Sequence, residues 1–255
     1  MNSNASPDRA RRGSDVSRAA REGLGVALAT SAYGVSFGAL GVAAGLDVWQ
    51  TCVLSLLMFT GGSQFAFVGV LAAGGIAAMP AAIASAALLG VRNVAYSIRM
   101  VPIIGTHVWR RVLATPFTID ESTAVALAQH DPRARQVGFW VTGVGIYIGW
   151  NLSTLLGALL GDVLGDPRAW GLDAAAAAAF LALLWPRLRH RQPIIVGIAA
   201  AVVATVLTPV LMPGLPVIIA AVVAIIVGWT NMWSTPESER AWDEPDDVAE
   251  REGLP

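Results

Sequence analysis

Between Glu22 and Arg92 the chain carries a single charged residue, Asp47. A membrane-spanning helix needs about 20 mostly apolar residues. That stretch supplies three candidates, 22–45, 48–73 and 76–99. Further along, 137–161, 170–185, 193–211 and 214–231 read the same way, although 170–185 is short and holds a run of alanines. The charges are pushed to the ends. Arg9, Arg11, Arg12, Arg18 and Arg21 crowd the N-terminus. Glu237, Glu239, Asp243, Glu244, Asp246, Asp247, Glu250 and Glu252 load the last stretch. With only 14% charged residues, against about 25% in an average soluble domain, the chain is an integral membrane protein. The expected fold is all-α, a polytopic membrane helical bundle with discontinuous helices.

Three regions follow. Residues 1–21 form a basic cytoplasmic segment, 22–231 the transmembrane domain, and 232–255 an acidic, disordered cytoplasmic tail. The apolar run from Leu24 exceeds the roughly 7–15 residues of a signal-peptide core, so it is expected to stay as the first helix. Arginine in short flanks marks the cytoplasmic side. This puts both termini, the start of 137–161 beside Arg133 and Arg135, and "PRLRHRQP" (186–193) inside. Parity then needs a repair, because three full crossings before residue 100 would leave Arg110 and Arg111 outside. Either 112–130 is a fourth crossing, the option favoured slightly here, or an early segment is re-entrant. The glycine-rich stretches "FGALGVAAGLD" (37–47) and "LGALLGDVLGD" (156–166) fit two related halves, as in inverted-repeat transporters. The reading favoured here is the simpler one, that small residues recur where membrane helices pack closely.

Polar interruptions mark the candidate site. Gly61, Gly62, Ser63 and Gln64 fall about 20 Å along a helix starting at Val48, near mid-membrane. Either the helix breaks there, with Ser63 capping a half-helix from Gln64 and its N-terminus facing an anion, or the glycines serve close packing. In "GVRNVAYSIRM" (90–100), Arg92 lies too deep to be ignored. It pairs with an acid, faces water or snorkels. Tyr96 shares its face and Asn93 points about 100° away. In "TPFTIDESTAVALAQ" (115–129), Thr118 and Glu121 have capping-box spacing. This leaves Asp120 to pair with Arg92, bind an ammonium or carry a proton, unless the segment is a surface helix. Asn151, beside Trp150, reads mainly as a packing hydrogen bond.

Several classes are excluded or weak. One cysteine, Cys52, permits no internal disulfide or cysteine metal cluster. No Walker or dinucleotide motif appears, and "GGSQF" lacks the second glycine of a nucleophile elbow. The chain is expected not to be an enzyme, to need no cofactor or metal, and to bind no nucleic acid.

The order "YGVSFGALGVAAGL" (33–46), "SLLMFTGGSQFAFVGVLAAGG" (55–75), "LLGVRNVAYSIRM" (88–100), "FTIDESTAVAL" (117–127) and "LGALLGDVLGD…WGLDAAAAAAFLALLWP" (156–186) resembles the AzlC family, large subunits of bacterial branched-chain amino-acid exporters. The resemblance runs over about 22–230. Arg92 and Asn93 fit the arginine–asparagine form of the family's pattern. It implies export of branched-chain or related small apolar amino acids across the cytoplasmic membrane by a secondary mechanism, with a small AzlD-type membrane subunit. With such a substrate, the three broken or charged segments suggest that its carboxylate meets Arg92 or the Gly62–Ser63 helix end, its ammonium meets Asp120, and its side chain enters an apolar pocket with Phe65 and Phe67. A channel or transporter for another small solute, such as an anion, and a non-transporting membrane scaffold remain the alternatives.

Overall fold

The computed structural model describes residues 7–164, 181, 185, 188, 191–211 and 215–230. These are helical, with no strand among the described residues. The chain divides into two compact units, Met1–Leu181 and Ala182–Pro255. In the second, α9 (Arg191–Leu207) and α10 (Leu215–Thr230) pack against each other. They match the apolar runs 193–211 and 214–231. The run 170–185 and the acidic tail lie outside the described residues, apart from the isolated positions above.

The first unit is built on two long helices, α1 (Pro7–Ala43) and α8 (Pro132–Leu164). They run parallel, because their contacts climb both sequences together. A Cβ at Gly23 would meet the Thr142 side chain at 2.6 Å, and one at Gly34 the Trp150 carbonyl at 2.7 Å. Gly38 lies against the backbone of Thr154, Gly157 against that of Val35, and Gly161 against Ala39. The two glycine-rich stretches of the sequence therefore pack on each other. Small residues let membrane helices approach closely enough for dispersion to hold them. These stretches are not the mark of an inverted repeat, since the helices that carry them point the same way.

Parallel packing fixes the ends. Call the end where α1 and α8 begin the near end. α1 crosses to the far end, where Asp47 caps α2 (Val48–Leu57) through its side chain and Gln50 answers as a capping box. Thr51 sits against Gly41, and lower down the Tyr147 hydroxyl bonds the Leu56 carbonyl at 3.4 Å. α2 thus descends from the far end to mid-depth. There the chain breaks, and α3 (Gly62–Gly74) starts afresh. A 3-10 turn, Gly75–Ala78, leads into α4 (Met79–Gly90), which lies alongside α3. Gly90 returns to Ser63 and Leu89 to Gly62. α3 therefore climbs back to the far end, and α2 and α3 form a re-entrant pair. α4 descends to the same depth and continues, after an interruption at Val91, as α5 (Arg92–Ile104). At the bottom of α5 the Gln136 amide bonds the Ile103 carbonyl at 3.0 Å, at the start of α8. The 12 and 13 residues of α4 and α5 give about 38 Å of helix at roughly 1.5 Å per residue, enough to cross.

The segment favoured above as a fourth crossing does not cross. Residues 108–127 fold as α6 (Val108–Ala114), a 3-10 turn (Thr115–Phe117) and α7 (Asp120–Leu127). Arg111 Nε donates to the Gly105 carbonyl at the near end. Phe117 reaches up to Gly143, Trp140 and Tyr147. Gln129 then returns to the near end, where its amide donates to Glu22 and its carbonyl accepts from Arg135. α6 and α7 are a second re-entrant pair, entering from the near end. An eight-residue helix spans about 12 Å, less than half of a hydrocarbon core of roughly 30 Å. The order is now crossing helix, re-entrant pair, crossing helix, re-entrant pair with opposite sense, crossing helix. The parity problem is resolved by the early segment 48–73 being re-entrant.

The mid-depth break depends on Gly61, at φ 58° and ψ −86°. A side chain there is strained, at a cost of about 1–3 kcal/mol. Gly61→Val is expected to lower the thermal midpoint of the detergent-solubilised protein by several degrees. Gly69→Val, where no other group lies within 4 Å, should leave it close to the native value.

Candidate functional site

Three helix starts meet at mid-depth: Gly62 of α3, Arg92 of α5 and Asp120 of α7. The Arg92 guanidinium joins them. Its Nη2 lies 2.8 Å from Asp120 Oδ2 and donates to the Thr60 carbonyl at 3.4 Å. The same nitrogen would be 2.9 Å from a Cβ on Gly62, so a side chain there would displace the guanidinium from its present place. Tyr96, one turn along from Arg92, donates its hydroxyl to Asp120 Oδ1 at 2.5 Å. The acid is thus held from both sides by groups on one face of α5, as the i, i+4 spacing requires.

The arrangement suits charge. The Arg92 guanidinium lies between the starts of α3 and α7 and faces the Asp120 carboxylate. The side chains of Arg92 and Asp120 keep 32% and 28% of their surface exposed. Ion pairs at this depth persist when they line a polar or water-filled space. The neighbourhood also holds buried polar atoms without a protein partner: Ser63 Oγ, Gln64 Oε1, Thr60 Oγ1 and Arg92 Nε.

Several expectations need correcting. Ser63 does not cap α3. The N-cap is Gly61, with no side-chain cap, and Ser63 is buried one residue inside the helix. Gln64 turns away from the ion pair, its amide donating to the Ser55 carbonyl at 3.2 Å. It belongs to a fully buried polar ladder in which Ser55 Oγ and Thr154 Oγ1 stand 3.3 Å apart. Thr118 and Glu121 form no capping box, because the N-cap of α7 is Ile119 and Thr118 stands one residue before it, donating its hydroxyl to the Ala114 carbonyl. Ser122 takes that place, accepting from the Ile119 amide at 3.2 Å and donating to the Phe117 carbonyl at 2.5 Å. Phe65 and Phe67 are packed in the core, Phe65 edge-on to Phe37 and Trp150.

Of the remaining candidates, Glu121 adjoins Asp120 within electrostatic reach of Arg92. Asn93 and Glu121 are half-buried beside their neighbours. Asn151 stays within its own helix, donating to the Tyr147 carbonyl at 2.7 Å. Thr60, the backbone contact to Arg92, and Ser122, the true cap, were not singled out from sequence. The only signal for Thr60 was its place immediately before the two glycines. Among the described residues no group of histidine, cysteine or acidic side chains could hold a metal.

A family model described as AzlC protein matches residues 25–164, more than half of the chain and all of it within the first unit. This is shorter than the 22–230 expected from the sequence motifs. No curated protein and no solved structure matches.

Proposed function

The chain belongs to the AzlC family, and from that membership we propose that it is the large subunit of a secondary exporter of branched-chain or related small apolar amino acids. It is a helical membrane protein of a transport family. Arg18, Arg21, Arg111 and Arg135 gather at the near end, and Asp47 and Asp162 lie toward the other. By the arginine rule the near end is cytoplasmic. A small AzlD-type membrane subunit is the expected partner.

The observation that carries the reading is the Arg92–Asp120 pair, part-exposed where two opposed re-entrant pairs meet a crossing helix. Discontinuous helices at mid-depth are how many secondary transporters build a substrate site. Irregular backbone at that depth is tolerated where protein buries it or a cavity receives it. The pair offers one charge of each sign, which favours a zwitterion over an inorganic anion. The backbone amides at the start of α3 and the Arg92 guanidinium suit a carboxylate, and Asp120 suits an ammonium. Nothing in this geometry calls for ATP.

Asp120→Asn keeps the shape and removes the charge. Cells expressing it at native membrane abundance are expected to lose at least nine-tenths of the efflux of preloaded leucine, valine or isoleucine, since a hydrogen bond to a charged group contributes about 1.5–3 kcal/mol. Normal efflux from that variant would remove Asp120 from the site.

A further inference from the structure

The Arg92–Asp120 contact does two things at once. Through the Thr60 carbonyl it holds the turn between α2 and α3, and through Asp120 it holds the start of α7. These belong to the two re-entrant pairs, which enter from opposite ends. One guanidinium on a crossing helix therefore ties both to itself. The tie is neither sealed nor fully satisfied. About a third of each side chain is exposed, and the buried Arg92 Nε has no partner.

An α-amino acid carries the complement of this pair, a carboxylate and an ammonium one carbon apart. We propose, building on the exporter reading, that the ion pair is exchangeable. A zwitterion takes over both partners, carboxylate to Arg92 and ammonium to Asp120, and by separating them unties the two re-entrant pairs. No bond forms or breaks covalently, and no proton need move. Tyr96 is the positioning residue, since its hydroxyl holds Asp120 Oδ1 while Oδ2 is freed for the ammonium.

The chemistry restricts the substrate class. A carboxylate without an amine would capture Arg92 and leave Asp120 unpaired at low dielectric. An amine without a carboxylate would strand Arg92. Removing one partner of a pair costs more than exchanging both, because the orphaned charge keeps its desolvation penalty. Recognition therefore requires both charges on one molecule, and neither the deaminated acid nor the decarboxylated amine is a substrate.

Two measurements test this on the full chain. In the first, thermal unfolding in detergent is followed with leucine, 4-methylpentanoate or 3-methylbutylamine. Leucine is expected to raise the midpoint, and each singly charged analogue to need at least about tenfold more for the same shift. Equal stabilisation by either analogue, or none by leucine, overturns the proposal. In the second, Arg92→Asp is combined with Asp120→Arg, which restores a pair but reverses its order. A purely structural pair would regain native efflux. An exchangeable one, whose anion side is set by the start of α3 and whose acid is set by Tyr96, should stay below about a tenth of it. Native efflux from the reversed pair overturns the proposal, and if the reversed pair fails to accumulate, the unfolding series decides. Failure of the exporter reading shows separately, as no branched-chain efflux from the native protein. The exporter reading stands if efflux is normal but singly charged analogues bind equally well.

Discussion

Gly157→Leu is expected to abolish accumulation of the folded protein. A Cβ at Gly157 lands on the backbone of Val35, and one at Gly38 on the backbone of Thr154 and Ala158. A flexible side chain can step aside, but helix backbone cannot, so α1 and α8 would have to move apart along their length. Overpacking a single core site costs about 1–3 kcal/mol. Here the forced separation also forfeits dispersion at Gly34, Gly149 and Gly161 on the same seam. In a lipid setting no hydrophobic drive between helices remains to compensate. The total should exceed about 3 kcal/mol, a large share of a typical stability of roughly 5–15 kcal/mol. Gly25→Leu on the same α1 is the control, since nothing lies within 4 Å of a Cβ there. Membrane abundance and the detergent thermal midpoint should collapse for Gly157→Leu and hold for Gly25→Leu. Equal midpoints would mean that the α1–α8 seam is not the spine of the unit.

That seam shows what the sequence could and could not say. The spacing of glycines in 37–47 and 156–166 was plain, and both packing and repeat symmetry explain it. Choosing between them needed the relative direction of α1 and α8, which depends on everything between. The crossing count failed for the same reason. A run such as 48–73 is about as long as a spanning helix whether it crosses or goes in and returns, because two half-helices hold as many apolar residues as one whole helix. The chain does mark the turn, at Gly61 and Gly62, and the break was legible there. Its direction of return was not, since the contacts of Gly90 with Ser63 and of Ile103 with Gln136 link residues far apart in sequence. The capping errors are local and instructive. Ser63 and Thr118 are good caps by type, yet each hydroxyl lies one or two residues from where the helix begins. In contrast, Arg92, Tyr96 and Asp120 could be joined from sequence. Charges at that depth need partners, and a spacing of four residues puts Arg92 and Tyr96 on one face.

Arg92→Ala should cause the largest loss of function of any single change at the site, with a loss of efflux of roughly 10- to 150-fold, the range set by about 1.5–3 kcal/mol for a hydrogen bond to a charged group. The change removes the ion pair to Asp120 and the bond to the Thr60 carbonyl together. Asp120 is left with the Tyr96 hydroxyl and the start of its own helix. Arg92→Lys separates the two tasks. A lysine keeps the charge but on a shorter side chain, whereas both contacts are made by the far Nη2 of Arg92, so it should retain part of the efflux and less of the tie between the re-entrant pairs. Combining Arg92→Ala with Asp120→Asn supplies the decisive comparison. If the two residues act as one unit, the double variant should be little worse than Arg92→Ala alone, because the second change removes a charge the first has already orphaned. Losses that simply multiply would mean that Arg92 and Asp120 serve efflux independently, and that their 2.8 Å contact is incidental to transport.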